Sequence, residues 1–172
     1  MPNLPGRLGE LEARDIMTGG VIVVRESDSL QTAIETLRSE HITGAPVVDA
    51  AGKLVGILSI SDLIGPSAGE GEPASVPLAH GGDRTSWELY DRAAAGAGDH
   101  SGQTVKDRMS RQVTSVADDA SLVDVARAMC GGHWHRVPVV DRSGSLTGII
   151  STMDVLAAVV NAADEAEQRR RG

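Results

Sequence analysis

An α/β (α+β) architecture is predicted, with tandem β-α-β-β-α repeats packed as a pseudo-two-fold pair. Three observations carry this prediction. Shifted by 92 positions, the sequence matches itself without a gap over about fifty residues. Each copy sets one stripe of helical period between short β-branched apolar runs. The chain of 172 residues is 41% hydrophobic and 23% charged, which suits a packed core.

The matches run through both copies. Asp15 falls on Asp107, Met17 on Met109, Val24 on Val116 and His41 on His133. Pro46-Val47-Val48-Asp49 falls on Pro138-Val139-Val140-Asp141, and Gly56-Ile57 on Gly148-Ile149. In the first copy, Val21-Ile22-Val23-Val24 reads as a strand. Leu30, Ala33, Ile34 and Leu37 then follow the i, i+3, i+4, i+7 rule of one helical face, with Asp28 or Ser29 as N-cap. Leu122, Val125, Ala126 and Met129 repeat that face. Two strands come next, at 45–48 and 54–58, joined by an Asp49-Ala50-Ala51-Gly52 turn. A second helix begins near Ser61, and near Thr152 in the other copy. A unit of this size buries too little surface to be secure alone, so the two copies are expected to form one folding unit.

The copies span residues 8–65 and 105–161, with an insertion at 66–104 and a charged tail at 162–172. The insertion opens with Gly and Pro and then carries Thr85-Ser86-Trp87-Glu88, a capping-box pattern that predicts a short helix through Tyr90 to about Ala95. Trp87 and Tyr90 either pin that helix to the core or present it to a partner.

Composition excludes several functions. Aromatic residues make up only 2%, too few for stacking platforms on single-stranded nucleic acid, and a net charge of −8 repels phosphate backbone. The Arg169-Arg170-Arg171 run reads as a solvated helix end. The longest apolar run, 155–160, is too short to span a bilayer. Residues 1–9 carry no apolar signal region, and the single cysteine, Cys130, allows no internal disulfide, so a cytoplasmic setting is expected. Cys130, His133 and His135 lie within six residues, but no further cysteine pair completes a zinc set, and no metal is expected. No nucleophile–base arrangement, Walker loop or dinucleotide fingerprint is present, so no catalytic residue is assigned and the chain is not expected to be an enzyme.

The densest constellation is Gly56-Ile57-Leu58-Ser59-Ile60-Ser61-Asp62, echoed by Gly148-Ile149-Ile150-Ser151-Thr152-Met153-Asp154. In each, a strand ends at a hydroxyl and a helix begins with a carboxylate in its first turn. Such a junction can welcome phosphate at the helix start while the carboxylate accepts two hydrogen bonds from a ribose diol. It can equally be a capping box that binds nothing. Both readings stand at this point.

The paired Gly-h-h-Ser-x-x-Asp motifs (h, apolar), each preceded by Pro-Val-Val-Asp-x-x-Gly, resemble the CBS domain family, named for cystathionine β-synthase. The repeat openings Asp15-Ile16-Met17-Thr18 and Asp107-Arg108-Met109-Ser110 extend the resemblance. It implies a Bateman module of the stand-alone CBS-pair type, acting as an energy or metabolite sensor. Such a module takes AMP, ADP, ATP or S-adenosylmethionine as a regulatory ligand in its inter-repeat clefts, with no obligatory cofactor. By resemblance, Asp62 and Asp154 hold ribose hydroxyls, with Ser59, Ser61 and Ser151 near ribose and phosphate. Adenine lies near Val24, Ala45 and Pro46 on one side and Val116, Val137 and Pro138 on the other. His135 and Arg136 are similar to the phosphate-contacting pair of nucleotide-sensing members and would serve the ligand held by Asp62, although Arg136 could instead pair with a surface acid. Thr43 and Gly44 stand at the matching positions of the first copy and carry no charge, so the Asp62 site is expected to bind nucleotide more tightly. The resemblance also implies a homodimer through the apolar second helices. An alternative role is an interaction protein that regulates a partner enzyme through its surface, with vestigial clefts.

Overall fold

The computed structural model describes residues 6–64, 88, 90, 91, 93 and 102–171. They fall into two compact units, Ile22–Val113 and a second that joins Met1–Val21 to Thr114–Gly172.

In the first unit, β1 (Val24–Arg25) leads to α2 (Leu30–Ser39), β2 (Gly44–Val48), β3 (Leu54–Ser59) and α3 (Ile60–Ile64). In the second, α1 (Ala13–Ile16) precedes β4 (Val116–Ala117), α4 (Leu122–Gly132), β5 (Arg136–Val140), β6 (Leu146–Ser151) and α5 (Thr152–Arg171). Each unit holds a three-stranded sheet, ordered β1-β2-β3 and β4-β5-β6, its first pair parallel and its second antiparallel.

The long helices follow the apolar stripe. Leu30, Ala33, Ile34 and Leu37 are all buried, and Ser29 caps α2 by accepting the Thr32 N–H at 3.1 Å. Ser121 does the same for α4. The first strand is shorter than its apolar run: only Val24 and Arg25 pair with β2, and Val23 is exposed. That brevity lets proline sit in the middle strand. Ile57 turns its N–H and C=O away from β2 toward Ser110, so the Pro46–Ile57 pair is a non-hydrogen-bonded one. The side of Pro46 that lacks an N–H therefore faces β1, which stops at the level of Val47 and asks nothing of it. Pro138 repeats the arrangement against Ile149.

The outer edges of β3 and β6 are covered by the opening segment of the other repeat. Ile57 exchanges both backbone bonds with Ser110 at 2.9 Å, and Ile149 does so with Thr18 at 2.9 and 3.0 Å. Met109 packs on Gly56 and Met17 on Gly148, where the absence of a side chain makes room for each sulfur. These two sheet edges are thereby closed, and each repeat borrows a piece of the other's sequence to complete its own unit.

The helix ends explain the repeated histidine. His41 and His133 adopt left-handed backbone, with φ of 56° and 54°. The Trp134 N–H reaches Met129 O at 2.9 Å and the Ile42 N–H reaches Leu37 O at 3.0 Å, a Schellman-type closure with histidine in glycine's usual place. Within the insertion, Tyr90 and Ala93 are helical and buried in the first unit's core, and the Tyr90 hydroxyl donates to Ile42 O at 2.8 Å. Trp87 lies outside the described residues.

Candidate functional site

The strand-to-helix junctions are nearly identical in the two units. At the end of β3, the Ser59 N–H and hydroxyl both donate to Asp62 Oδ2, at 2.7 and 2.8 Å. The single hydroxyl proton of Ser59 is thus committed, so the Ser61 hydroxyl is the donor in their 2.6 Å contact. At the end of β6, the Ser151 N–H and hydroxyl donate to Asp154 Oδ2 at 2.7 and 2.6 Å. Both carboxylates thus cap the serine N–H, and in both the bonds fall on one oxygen; at Asp154 the cap is also reciprocal, its N–H donating to Ser151 Oγ at 3.3 Å. Capping and ligand binding are therefore compatible: Oδ2 is fixed by serine, which aims the rest of the carboxylate. The Thr43 and His135 carbonyls accept the first helical N–H groups, from Ile60 and Thr152, at 2.9 and 3.0 Å.

Burial raises the Asp62 carboxyl above the ordinary aspartate value, while the Ser59 N–H and hydroxyl pull it the other way. A group whose folded value is raised contributes its stability fully below the unfolded value and loses it as pH rises through the folded value. Asp62→Asn removes the charge and keeps an acceptor for Ser59. The variant's melting temperature relative to the parent is therefore expected to be more favourable at pH 7 than at pH 3. Thermal melts across that range check it, and the opposite trend would mean that the serine bonds outweigh burial.

The remaining predicted residues divide into buried and exposed sets. Val24 and Ala45 belong to the first unit's core cluster, Val116 and Val137 to the second's, and Pro46 and Pro138 are buried in the middle strands. These six can offer a ligand backbone more readily than side chain. His135 and Arg136 are exposed at the start of β5, and among the described residues no ion pair is found for Arg136. At the matching positions Thr43 is buried, at 8% exposure, and Gly44 has no side chain. A side chain would also be tight there: a Cβ at Gly44 would lie 3.1 Å from the Leu58 carbonyl oxygen. Among the described residues, no group of three or more His, Cys, Asp or Glu could hold a metal ion.

Two features escaped the sequence reading. One is the pairing of Met17 with Gly148 and Met109 with Gly56. The glycines and methionines recur in both copies, but their offset within each copy does not say which copy a methionine serves. The other is the Tyr90 bond to a specific carbonyl, for which the sequence holds no signal.

The chain is 29% identical over 167 residues to the chloroplastic CBS domain-containing protein CBSX2 of Arabidopsis thaliana, covering 96% of this chain and 70% of that protein. It is 30% identical over 152 residues to the uncharacterized protein MJ1426 of Methanocaldococcus jannaschii, covering 86% and 90%. The crystal structure of CBSX2 in complex with AMP superposes with a TM-score of 0.61 at 28% identity, over 87% of this chain and 96% of that one. The CBS domain profile matches residues 13–68 and 105–161, the two stretches that carry the repeated junctions. With both copies matched and the repeated architecture in place, the chain belongs to the CBS domain family, as a pair of such domains.

Proposed function

We propose that this chain is a regulatory module that binds an adenosine nucleotide, with Asp62 as the principal ribose acceptor and His135 and Arg136 as the phosphate contacts. The observation that carries the reading is the asymmetry between two otherwise matching junctions. Both present a serine-aimed carboxylate, but only one of the two matching strand starts, that of the repeat holding Asp154, exposes a basic pair, which the resemblance to nucleotide-sensing members assigns to the ligand of Asp62. Arginine's planar fork suits phosphate, and Arg136, with no ion pair among the described residues, can turn to a phosphate without breaking one. The AMP bound by CBSX2 supports a nucleotide as the ligand class. The module has no catalytic role in this reading; it reports ligand level by changing its own stability and surface. The lone cysteine fits a reducing setting such as the cytoplasm.

The test is a melting panel with AMP, ADP, ATP and S-adenosylmethionine. Ligand at 100 times its dissociation constant adds about 2.7 kcal/mol, or roughly 5–10 °C for a chain of this size. If none of the four moves the melting temperature, the nucleotide reading fails.

We further propose that the module pairs with a second copy through α5. Met153, Leu156 and Val160 are 64%, 56% and 57% exposed and share one helical face opposite buried Ala158 and Ala162. A contiguous apolar face of this kind marks an association surface, and such contacts are usually symmetric. Leu156→Glu is expected to convert a dimer to a monomer in sedimentation without lowering the melting temperature of the monomer. No change in sedimentation between parent and variant would remove the proposal. Among the described residues, no helix is long and apolar enough to cross a membrane.

A further inference from the structure

The two opening segments dock alike, and they differ at one point of contact. In the second unit the Ala13 and Arg14 N–H groups reach the carbonyls of Ala120 and Asp118, at 2.8 and 2.9 Å, and Leu11 O accepts the Leu122 N–H. In the first unit Val105 and Lys106 bond to Asp28 and Glu26, and Gln103 O accepts the Leu30 N–H, position for position. Asp15 and Asp107 close the same turn, each accepting the N–H three residues before it. Leu11 and Ile16 of one segment therefore stand where Gln103 and Arg108 stand in the other. Arg108 is only 5% exposed, and its Nε–H donates to Gln103 Oε1 at 3.2 Å. A long cationic side chain is thus buried at this point of the first unit.

The second unit meets the same point with shorter, apolar side chains. Between its opening segment and α5 runs a groove of about 310 Å³. Leu11, Ile16, Ala158 and Ala162 make its apolar floor, the alanines buried and the other two half-buried. Asp15, Asn161 and Glu165 make its rim. Among the described residues, none that lines the groove is basic, and the neighbouring Arg14 is held by Glu12 at 2.8 Å. An apolar floor edged by carboxylates is complementary to one kind of side chain. Lysine and arginine lay their methylene stems on apolar surface and carry a charged head to its edge. A phosphate or a second acid would be repelled there. Asn161 and Glu165 lie about two to three turns of α5 beyond Asp154, and the buried alanines face away from Met153, Leu156 and Val160. The groove is therefore separate from the nucleotide junction and from the self-association face.

We propose that this groove is a docking pocket for a lysine or arginine on a basic segment of a partner protein, its stem on Leu11, Ile16 and the alanines and its charge at Asp15 and Glu165. The buried Arg108 is the precedent within this chain for such a side chain at this position. An occupant there would also grip the segment that closes the edge of β6, so binding stabilises the second unit.

The probe is a fluorescein-labelled lysine–alanine peptide, titrated into the full-length protein and read by anisotropy, with the matching glutamate–alanine peptide as control. Saturable binding of the lysine peptide alone is expected, with backbone amide shifts concentrated at 11–16 and 158–165. Asp15→Asn and Glu165→Gln should each weaken it about threefold, and together about tenfold, on the scale of exposed charge pairs. Asparagine at 15 keeps an acceptor for the Glu12 N–H, so the turn is retained. Asn161→Lys, at an exposed position, should abolish binding by setting a cation in the groove. Glu40→Gln removes an equal charge from an exposed position of the first unit and should leave binding unchanged. Absence of saturable binding at millimolar peptide overturns the proposal. So does weakening by Glu40→Gln equal to that by Asp15→Asn and Glu165→Gln, which would mean attraction to net charge alone. Saturable binding of spermidine with none of the peptide would give the pocket to a free polyamine and overturn the partner assignment.

Discussion

Asp62→Ala is expected to abolish the ligand-induced rise in melting temperature, and Asp154→Ala to leave most of it. The two variants form a matched pair because the structural work of the two carboxylates is the same. Each accepts the backbone N–H and hydroxyl of the serine three residues before it, at 2.6 to 2.8 Å. Loss of either cap should therefore cost a similar amount in the ligand-free protein, about 1 kcal/mol. What differs is the ligand term. A carboxylate that accepts two hydroxyls of a ribose makes charge-assisted bonds worth about 1.5–3 kcal/mol each, so losing both weakens binding by at least about a hundredfold. Ligand at 100 times the parent's dissociation constant then stands at about the variant's own, and its stabilisation falls from about 2.7 to about 0.4 kcal/mol. Melting each variant with and without nucleotide separates the cap from the site. Equal loss of the ligand shift in the two variants would contradict the assignment of the tighter site to Asp62.

The second large effect concerns the borrowed segments. A Cβ at Gly56 would lie 2.6 Å from Met109 Sδ and 2.9 Å from the Ser110 carbonyl oxygen, which is held by Ile57. Gly56→Val therefore must push away both a side chain and a hydrogen-bonded backbone. Overpacking together with two broken bridge bonds is expected to cost roughly 3–5 kcal/mol. At Gly148 the nearest atoms all belong to the Met17 side chain, at 2.5, 2.8 and 3.0 Å. Truncating the methionine should thus rescue one site better than the other. Met17→Ala is expected to restore most of the stability lost in Gly148→Ala, whereas Met109→Ala restores less of that lost in Gly56→Ala. Denaturant unfolding of the four single and two double variants gives the comparison, and equal rescue would mean that the Ser110 backbone yields freely.

The same features show how far the residues alone could lead. Periodicity was a sound guide wherever one face had to be buried. The stripe from Leu30 to Leu37 and its counterpart from Leu122 to Met129 became helices because no other backbone places those residues on one side. It misled at 21–24, where four apolar residues in a row promised a strand. Only Val24 and Arg25 found a partner, because a strand is defined by what pairs with it and not by its own composition. The serine–aspartate junctions were visible as a spacing, and their duplication singled them out. The choice between cap and ligand site was open in the sequence, and the structure answers that the cap is formed while the bonds occupy a single oxygen of each carboxylate.

By itself, then, the amino-acid sequence determined that this protein is two copies of one β-α-β-β-α unit, and it marked the residues at which each strand passes into a helix. These are local properties: periodicity, capping and turn chemistry are written within a few residues of where they act. Tertiary structure alone decided that each repeat's opening segment closes the other's sheet edge and that Tyr90 enters the core of the first unit. Those outcomes turn on which of two nearly equivalent surfaces a segment reaches, and a chain whose copies share the same motifs carries no local mark of that choice.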